Sequence, residues 1–192
     1  VLTDEGERLA PVLREAFARI AAALAALTDQ GPAEVLTVGV VGTFAVGFLL
    51  ERLTDFRALH PRIELRMLTN NNKIDLAAES LDCAIRFGDG AWARETAELL
   101  LPAPLTPLCS PAMAARLKAP ADLARQVLLR SYRAGDWPAW LAAAGLPGLA
   151  SINPRGPLFD ASALMVQAAM FGEGVALAPA AMFGRELRQG RL

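Results

Sequence analysis

Two short polar steps interrupt otherwise apolar stretches of this chain. Gly42-Thr43 follows the apolar run 35–41, and Asp160-Ala161-Ser162 follows Leu158-Phe159. At each step the patterning changes from strand-like to helix-like. That places a hydroxyl beside the unbonded N–H groups of a helix's first turn, a setting suited to a carboxylate or a peptide-like ligand. Thr43, Asp160 and Ser162 are also the residue types that cap helices, so each carries two readings, cap or ligand contact. Asp75 ends Asn70-Asn71-Asn72-Lys73-Ile74-Asp75. It either caps the helix it opens or offers a carboxylate to a ligand amine or amide, at about 1.5–3 kcal/mol for a charged hydrogen bond. Arg86 ends a third apolar run, where it offers a bidentate fork to an acid or forms a surface ion pair. The loop 88–92 can bring Trp92 to a rim, whereas Trp137 and Trp140, at i and i+3, belong to a core.

Catalytic groupings are missing from the pattern. His60, the one histidine, sits in a His-Pro helix stop, a poor place for a general base. No Gly-x-Ser-x-Gly elbow occurs. Cys83 and Cys109 are too far apart for a metal site, and no His/Cys pair has ligand spacing. Gly39-Val40-Val41-Gly42 lacks both the Walker lysine and the third Rossmann glycine. The expectation is a binding domain, with no metal, no cofactor and no enzymatic activity.

Elements must hold these residues in place. Thr3 can cap a first helix, with Asp4 and Glu5 in the turn where the macrodipole favours acids. Leu13, Phe17, Ile20, Leu24 and Leu27 then recur as a heptad seam, and Asp29-Gln30-Gly31-Pro32 ends the segment. Such a helix folds back on its own core or pairs with a copy of itself; its isolation behind Gly-Pro favours the pair. Beyond it come a strand at 35–41, a helix at 44–59 stopped by His60-Pro61, a strand at 63–68, a short helix at 74–80 and a strand at 83–87. That β-α-β-α-β order predicts a parallel sheet with right-handed crossovers.

The Pro-rich passage 101–111, with a strand at 105–109, leads into a second lobe. There the pattern predicts helices at 120–125, 137–144, 161–171 and 180–189, and strands at 127–131, 158–159 and 175–178. The division is a linker helix over 1–30, a first lobe over 34–102 and a second over 103–192. Two such lobes joined once need a return crossing, expected after Leu192. In open α/β sheets ligands lie beyond the carboxyl ends of the strands, which is where both polar steps fall.

Composition sets the bounds. Of 192 residues, 54% are hydrophobic and 20% charged, which excludes disorder. Lys and Arg number 19 against 20 Asp and Glu, a formal charge of −1, so this stretch is not expected to grip nucleic acid by itself. No apolar run approaches the roughly 18–20 residues needed to cross a bilayer, and no export signal is evident. Both cysteines are expected as reduced, buried thiols of a cytoplasmic protein.

Longer motifs add a family likeness. Leu2-Thr3-Asp4-Glu5-Gly6 before a long amphipathic helix resembles the linker helix of LysR-type transcriptional regulators. The segments 56–65, 81–88, 109–111 and 172–179 match that family's effector domain in order and spacing. Within the family, Val40-Val41-Gly42-Thr43-Phe44-Ala45, Asn71-Asn72-Lys73-Ile74-Asp75 and the segments 86–92 and 128–133 are similar to AmpR-type regulators of chromosomal β-lactamase genes. The resemblance implies a type-2 periplasmic-binding-protein-like α/β fold, two Rossmann-like lobes around a cleft after an N-terminal linker helix. It further implies cell-wall muropeptides as effectors, a nucleotide-linked precursor (UDP-MurNAc-pentapeptide) repressing and anhydro-muropeptides activating. Gly42, Thr43, Asp75 and Ser162 stand where the family's response-shaping residues stand, although Ala161 replaces a second serine often found there. A homodimer or homotetramer is implied, touching promoter DNA only through a winged helix-turn-helix before the linker. The rival is a periplasmic solute-binding protein for a small anionic or peptide-like ligand, against which the seam helix speaks.

Overall fold

The computed structural model describes residues 3–27, 34–70, 76, 79–92, 95–150 and 156–192. Helix α1 (Asp4–Leu27) starts where expected, with the Gly6 N–H donating to Thr3 Oγ1 at 3.2 Å. Pro11 lies inside it and, having no N–H, gives nothing to the carbonyl one turn back. Leu9, Val12, Leu13, Phe17 and Ile20 are all exposed, Phe17 at 67%. The helix therefore does not bury its apolar stripe against its own chain. It is tied to the first lobe by Arg14 Nη1, which donates to Ser80 Oγ at 3.3 Å. The helix stop at 29–32 lies outside the described residues.

Strands β1 (Glu34–Val41), β2 (Ile63–Asn70) and β3 (Cys83–Ile85) form a parallel sheet in the order β2-β1-β3, as the alternation of strand and helix predicts. Val38, Gly39 and Val40 bury the centre of β1. Asp82 fixes the entry of β3 by a reciprocal pair of bonds: its N–H donates to the Thr37 carbonyl at 2.9 Å, and its Oδ2 accepts the Thr37 N–H at 2.7 Å. Val41 faces Asn70 and Val40 faces Ile85, so Gly42 and the Arg86-Phe87 pair leave the sheet at one end.

The helix predicted over 44–59 starts two residues earlier and is unevenly wound. It comprises α2 (Gly42–Phe44), a π-turn at Ala45–Leu49, a 3-10 turn at Leu50–Arg52 and α3 (Leu53–Leu59). The wide turn contains Gly47, where an added Cβ would lie 2.0 Å from the Met182 carbonyl oxygen. His60 closes the run as predicted, its N–H donating to the Phe56 carbonyl at 2.8 Å. The helix expected at 74–80 falls largely outside the described residues; Leu76, Glu79 and Ser80 are in turns.

The second lobe runs β4 (Leu105–Leu108), α4 (Pro111–Ala114), a 3-10 helix at Pro120–Arg125, β5 (Arg130–Ser131), α5 (Asp136–Ala143), α6 (Pro147–Ala150), β6 (Leu158–Phe159), α7 (Ser162–Met170), β7 (Ala176–Pro179), a 3-10 turn at Ala180–Phe183 and α8 (Gly184–Arg188). β4 pairs antiparallel with β7, and β5 pairs parallel with β6. A parallel bridge between Leu128 and Val175 joins the two pairs. The strand expected over 127–131 is thus a bridge followed by a two-residue strand. The segment at 120–125 is 3-10, and Asp122 Oδ2 closes its start by accepting the N–H groups of Lys118 at 2.7 Å and Ala119 at 2.9 Å. The predicted last helix is likewise divided, a 3-10 turn and then α8.

One core cluster draws on both lobes. Val40, Phe44 and Ala45 of the first pack with Leu129, Met165, Val166, Ala169 and Met182 of the second. Another holds Trp137, Leu141, Val175 and Leu177 within the second lobe. Cys109 is half-buried, but Cys83 is exposed, contrary to expectation, because it opens β3 at the edge of the sheet. Both are free thiols, pushed above the usual range: Cys109 by burial, Cys83 by burial and then by the Asp82 carboxylate. No helix among the described residues is long and apolar enough to cross a membrane.

Candidate functional site

The carboxyl ends of β1, β3, β5 and β6 carry nearly every residue singled out for chemistry. Gly42 and Thr43 follow β1 and open α2; Asp160 and Ser162 flank the turn between β6 and α7. α2 packs against α7, with Phe44 and Ala45 in one core with Met165, Val166 and Ala169.

Neither hydroxyl is spent as a cap. The cap positions are Val41 for α2 and Ala161 for α7, and neither helix has a side-chain capping bond. Thr43 and Ser162 are half-buried, and among the described residues no protein group takes their hydroxyls. The first-turn N–H groups beside them have no intrahelical acceptor. Asp160 is exposed one position before the cap. Gly42 has open space where a Cβ would stand, nothing lying within 4 Å. Asp75 lies outside the described residues.

Arg86 resolves into the ion-pair reading, though not at the surface. Strand β3 ends at Ile85, one residue short of it, and its guanidinium turns to Glu95. Nη1 lies 2.8 Å from Glu95 Oε2, Nη2 donates to Oε1 at 3.3 Å, and the Arg86 side chain is only 8% exposed. Trp92 packs back over Gly88, where a Cβ would meet the indole at 2.9 Å, and Arg86 lies 5.6 Å from its ring centroid.

Beyond the end of β5 lies a recess of about 330 Å³ that the sequence reading did not assign. Ser131, Tyr132, Arg133 and Asp136 form its polar side; Leu129, Trp137, Leu158, Met165 and Leu177 form its apolar side. Arg133 Nε donates to Asp136 Oδ2 at 2.8 Å, and its guanidinium carbon sits 4.2 Å from the Phe87 ring centroid. Phe87 belongs to the first lobe, so this contact spans the two. Trp137 is core, as predicted, donating its indole N–H to the Leu129 carbonyl at 2.8 Å, and it also walls the recess. The available signal was Ser131-x-Arg133-x-x-Asp136, a hydroxyl turn followed by an i,i+3 ion pair directly after a strand. No cluster of three or more His, Cys, Asp or Glu able to hold a metal occurs among the described residues.

A three-stranded parallel sheet joined to a second lobe of one antiparallel and one parallel strand pair, with β1 and β6 leading into helix starts, is the architecture of a type-2 periplasmic-binding-protein-like domain. The chain belongs to the LysR substrate binding domain family, whose sequence profile matches residues 29–192. It is 57% identical to the HTH-type transcriptional activator AmpR of Pseudomonas aeruginosa over 97% of this chain and 63% of that protein. Against the protein of the same name from Citrobacter koseri it is 51% identical over 100% of this chain and 66% of the relative. The chain thus spans about two thirds or slightly less of these curated relatives. The X-ray structure of the effector domain of Pseudomonas aeruginosa AmpR superposes with a TM-score of 0.76 at 57% identity, covering 82% of this chain and 76% of that one.

Proposed function

We propose that this chain is the effector-sensing part of a dimeric LysR-type transcriptional regulator that controls β-lactamase expression in response to cell-wall muropeptides. The observation that carries the reading is the pair of half-buried hydroxyls, Thr43 and Ser162, each in the first turn of one of two helices that pack together and that neither of them caps. Muropeptides present peptide carboxylates and amides, which suit free helix N–H groups and hydroxyls. Asp75 is assigned to the same cleft, and Asp160 to its rim. Arg86, ion-paired with Glu95, is assigned to the same cleft as the guanidinium that would meet a ligand acid.

In this reading the UDP-linked pentapeptide holds the repressing state and anhydro-muropeptides the activating one. Each shifts the balance by its difference in affinity for the two states, with about 1–3 kcal/mol typical of such coupling. Residues 1–30 act as the linker, 34–102 and 103–192 as the two lobes. The exposed stripe on α1 pairs with a second copy and supports a dimer, or a tetramer of paired dimers. Promoter DNA is met through a separate winged helix-turn-helix, in the cytoplasm. The names of the curated relatives support this assignment.

The test is a thermal-shift titration with purified UDP-MurNAc-pentapeptide and with an anhydro-muropeptide. A saturable rise in melting temperature with either ligand is expected. No rise with either one removes the effector assignment.

A further inference from the structure

We infer that Arg133 anchors a carboxylate subsite in the recess beyond β5, separate from the Thr43 and Ser162 hydroxyls; the inference rests on reading the cleft as an effector site. Arg133 is held on two sides. Nε donates to Asp136 Oδ2 at 2.8 Å, and one face lies on Phe87 at 4.2 Å from the ring centroid. Asp136 is itself positioned, because Ser131 Oγ donates to the same Oδ2 at 3.5 Å while accepting the Arg133 backbone N–H at 3.2 Å. Among the described residues nothing accepts from the two terminal nitrogens of Arg133. An arginine pinned through Nε and one face keeps its outer edge for a planar, two-oxygen acceptor, the geometry of a carboxylate. Much of the side-chain freedom that clamping would otherwise remove is already gone.

The surroundings narrow the ligand class. Asp136 cancels the charge of Arg133, so selection comes from the fork and not from long-range attraction. A multiply charged phosphate therefore gains little here. Asp136 is a weak site for a ligand cation, since its Oδ2 already takes two donors and a guanidinium stands beside it. The apolar wall of Trp137, Leu158, Met165 and Leu177 has room for a short aliphatic group next to the acid. An amino-acid-like carboxylate with a small side chain satisfies both halves. Because Phe87 comes from the other lobe, an acid seated on Arg133 fastens onto a contact that spans the cleft.

The experiment titrates ¹⁵N-labelled protein with N-acetylalanine and with N-acetylalaninamide, following the Trp137 indole N–H. The acid is expected to shift that resonance saturably and to bind about tenfold more tightly than the amide, the scale of one charge-assisted bond. Arg133→Gln should abolish the preference, and Arg133→Lys should keep part of it. Equal binding of acid and amide, a silent Trp137, or an unchanged preference in Arg133→Gln overturns the proposal. The wild-type comparison decides the matter even if a variant fails to fold. A muropeptide titration on the same sample separates the two readings: a muropeptide response without acid preference removes the subsite alone. An acid preference without a muropeptide response removes the proposed effector alone.

Discussion

Thr43 and Ser162 occupy helix starts without closing them, so their removal should reach the ligand before it reaches the fold. Thr43→Val keeps the volume and deletes a hydroxyl that bonds no described protein group. Calorimetry with a muropeptide should show affinity falling roughly 2- to 12-fold, the equivalent of about 0.5–1.5 kcal/mol, with the melting temperature nearly unchanged. Undiminished affinity would return Thr43 to a purely local role. Gly42→Leu places its side chain where nothing lies within 4 Å. The variant should fold with an unaltered circular dichroism spectrum and fail to bind; a folded variant that binds normally would put the ligand elsewhere. Both positions were legible in the sequence because a small or hydroxylated residue at a strand-to-helix change is a local signal. Arg133 was legible only in part: its pairing with Asp136 is local, three residues on, whereas Phe87 reaches it only after the lobes pack.

Strands and breakers were the legible elements. The run 35–41 and the His-Pro stop announce themselves by apolar continuity and by proline's exclusion of helix from the residue before it. The winding of the helical segments was not, because π, 3-10 and α turns draw on the same residues and differ by what presses on them. Gly47 shows this: it admits the Met182 backbone, and a methyl group there has nowhere to go. Gly47→Ala should cost about 1–3 kcal/mol in urea unfolding, as overpacking does; a neutral result would mean the two segments separate freely. A second element is governed by charge. Backbone bonds from Lys118 and then Ala119 hold the Asp122 carboxyl below the usual carboxylate range. With the folded value depressed, this tether is complete above the ordinary range and is lost as pH falls through the folded value. The Lys118 and Ala119 amide resonances should therefore move at a lower pH than an unrestrained aspartate titrates; movement at the ordinary value would show the tether is absent in solution.

At the scale of the molecule, the formal charge of −1 and the uncovered stripe on α1 accord with the proposed sensor, which would meet DNA through a separate domain and its partner through a helix. Phe17→Asp should shift sedimentation towards the monomer and leave ligand affinity intact, since Phe17 is 67% exposed and far in sequence from the cleft residues. A variant that stays dimeric would move the pairing surface off α1. The cluster that draws on both lobes bears on how such a sensor responds. Lobes that interlock through Phe44, Ala45 and Met182 would expose packed apolar surface if they swung apart like a clamshell. A rearrangement that keeps this packing is a shear, close-packed layers sliding by small increments. A 24-residue helix such as α1, tied to the first lobe through Arg14, would then act as the lever that amplifies a small slip into a displacement its far end can use.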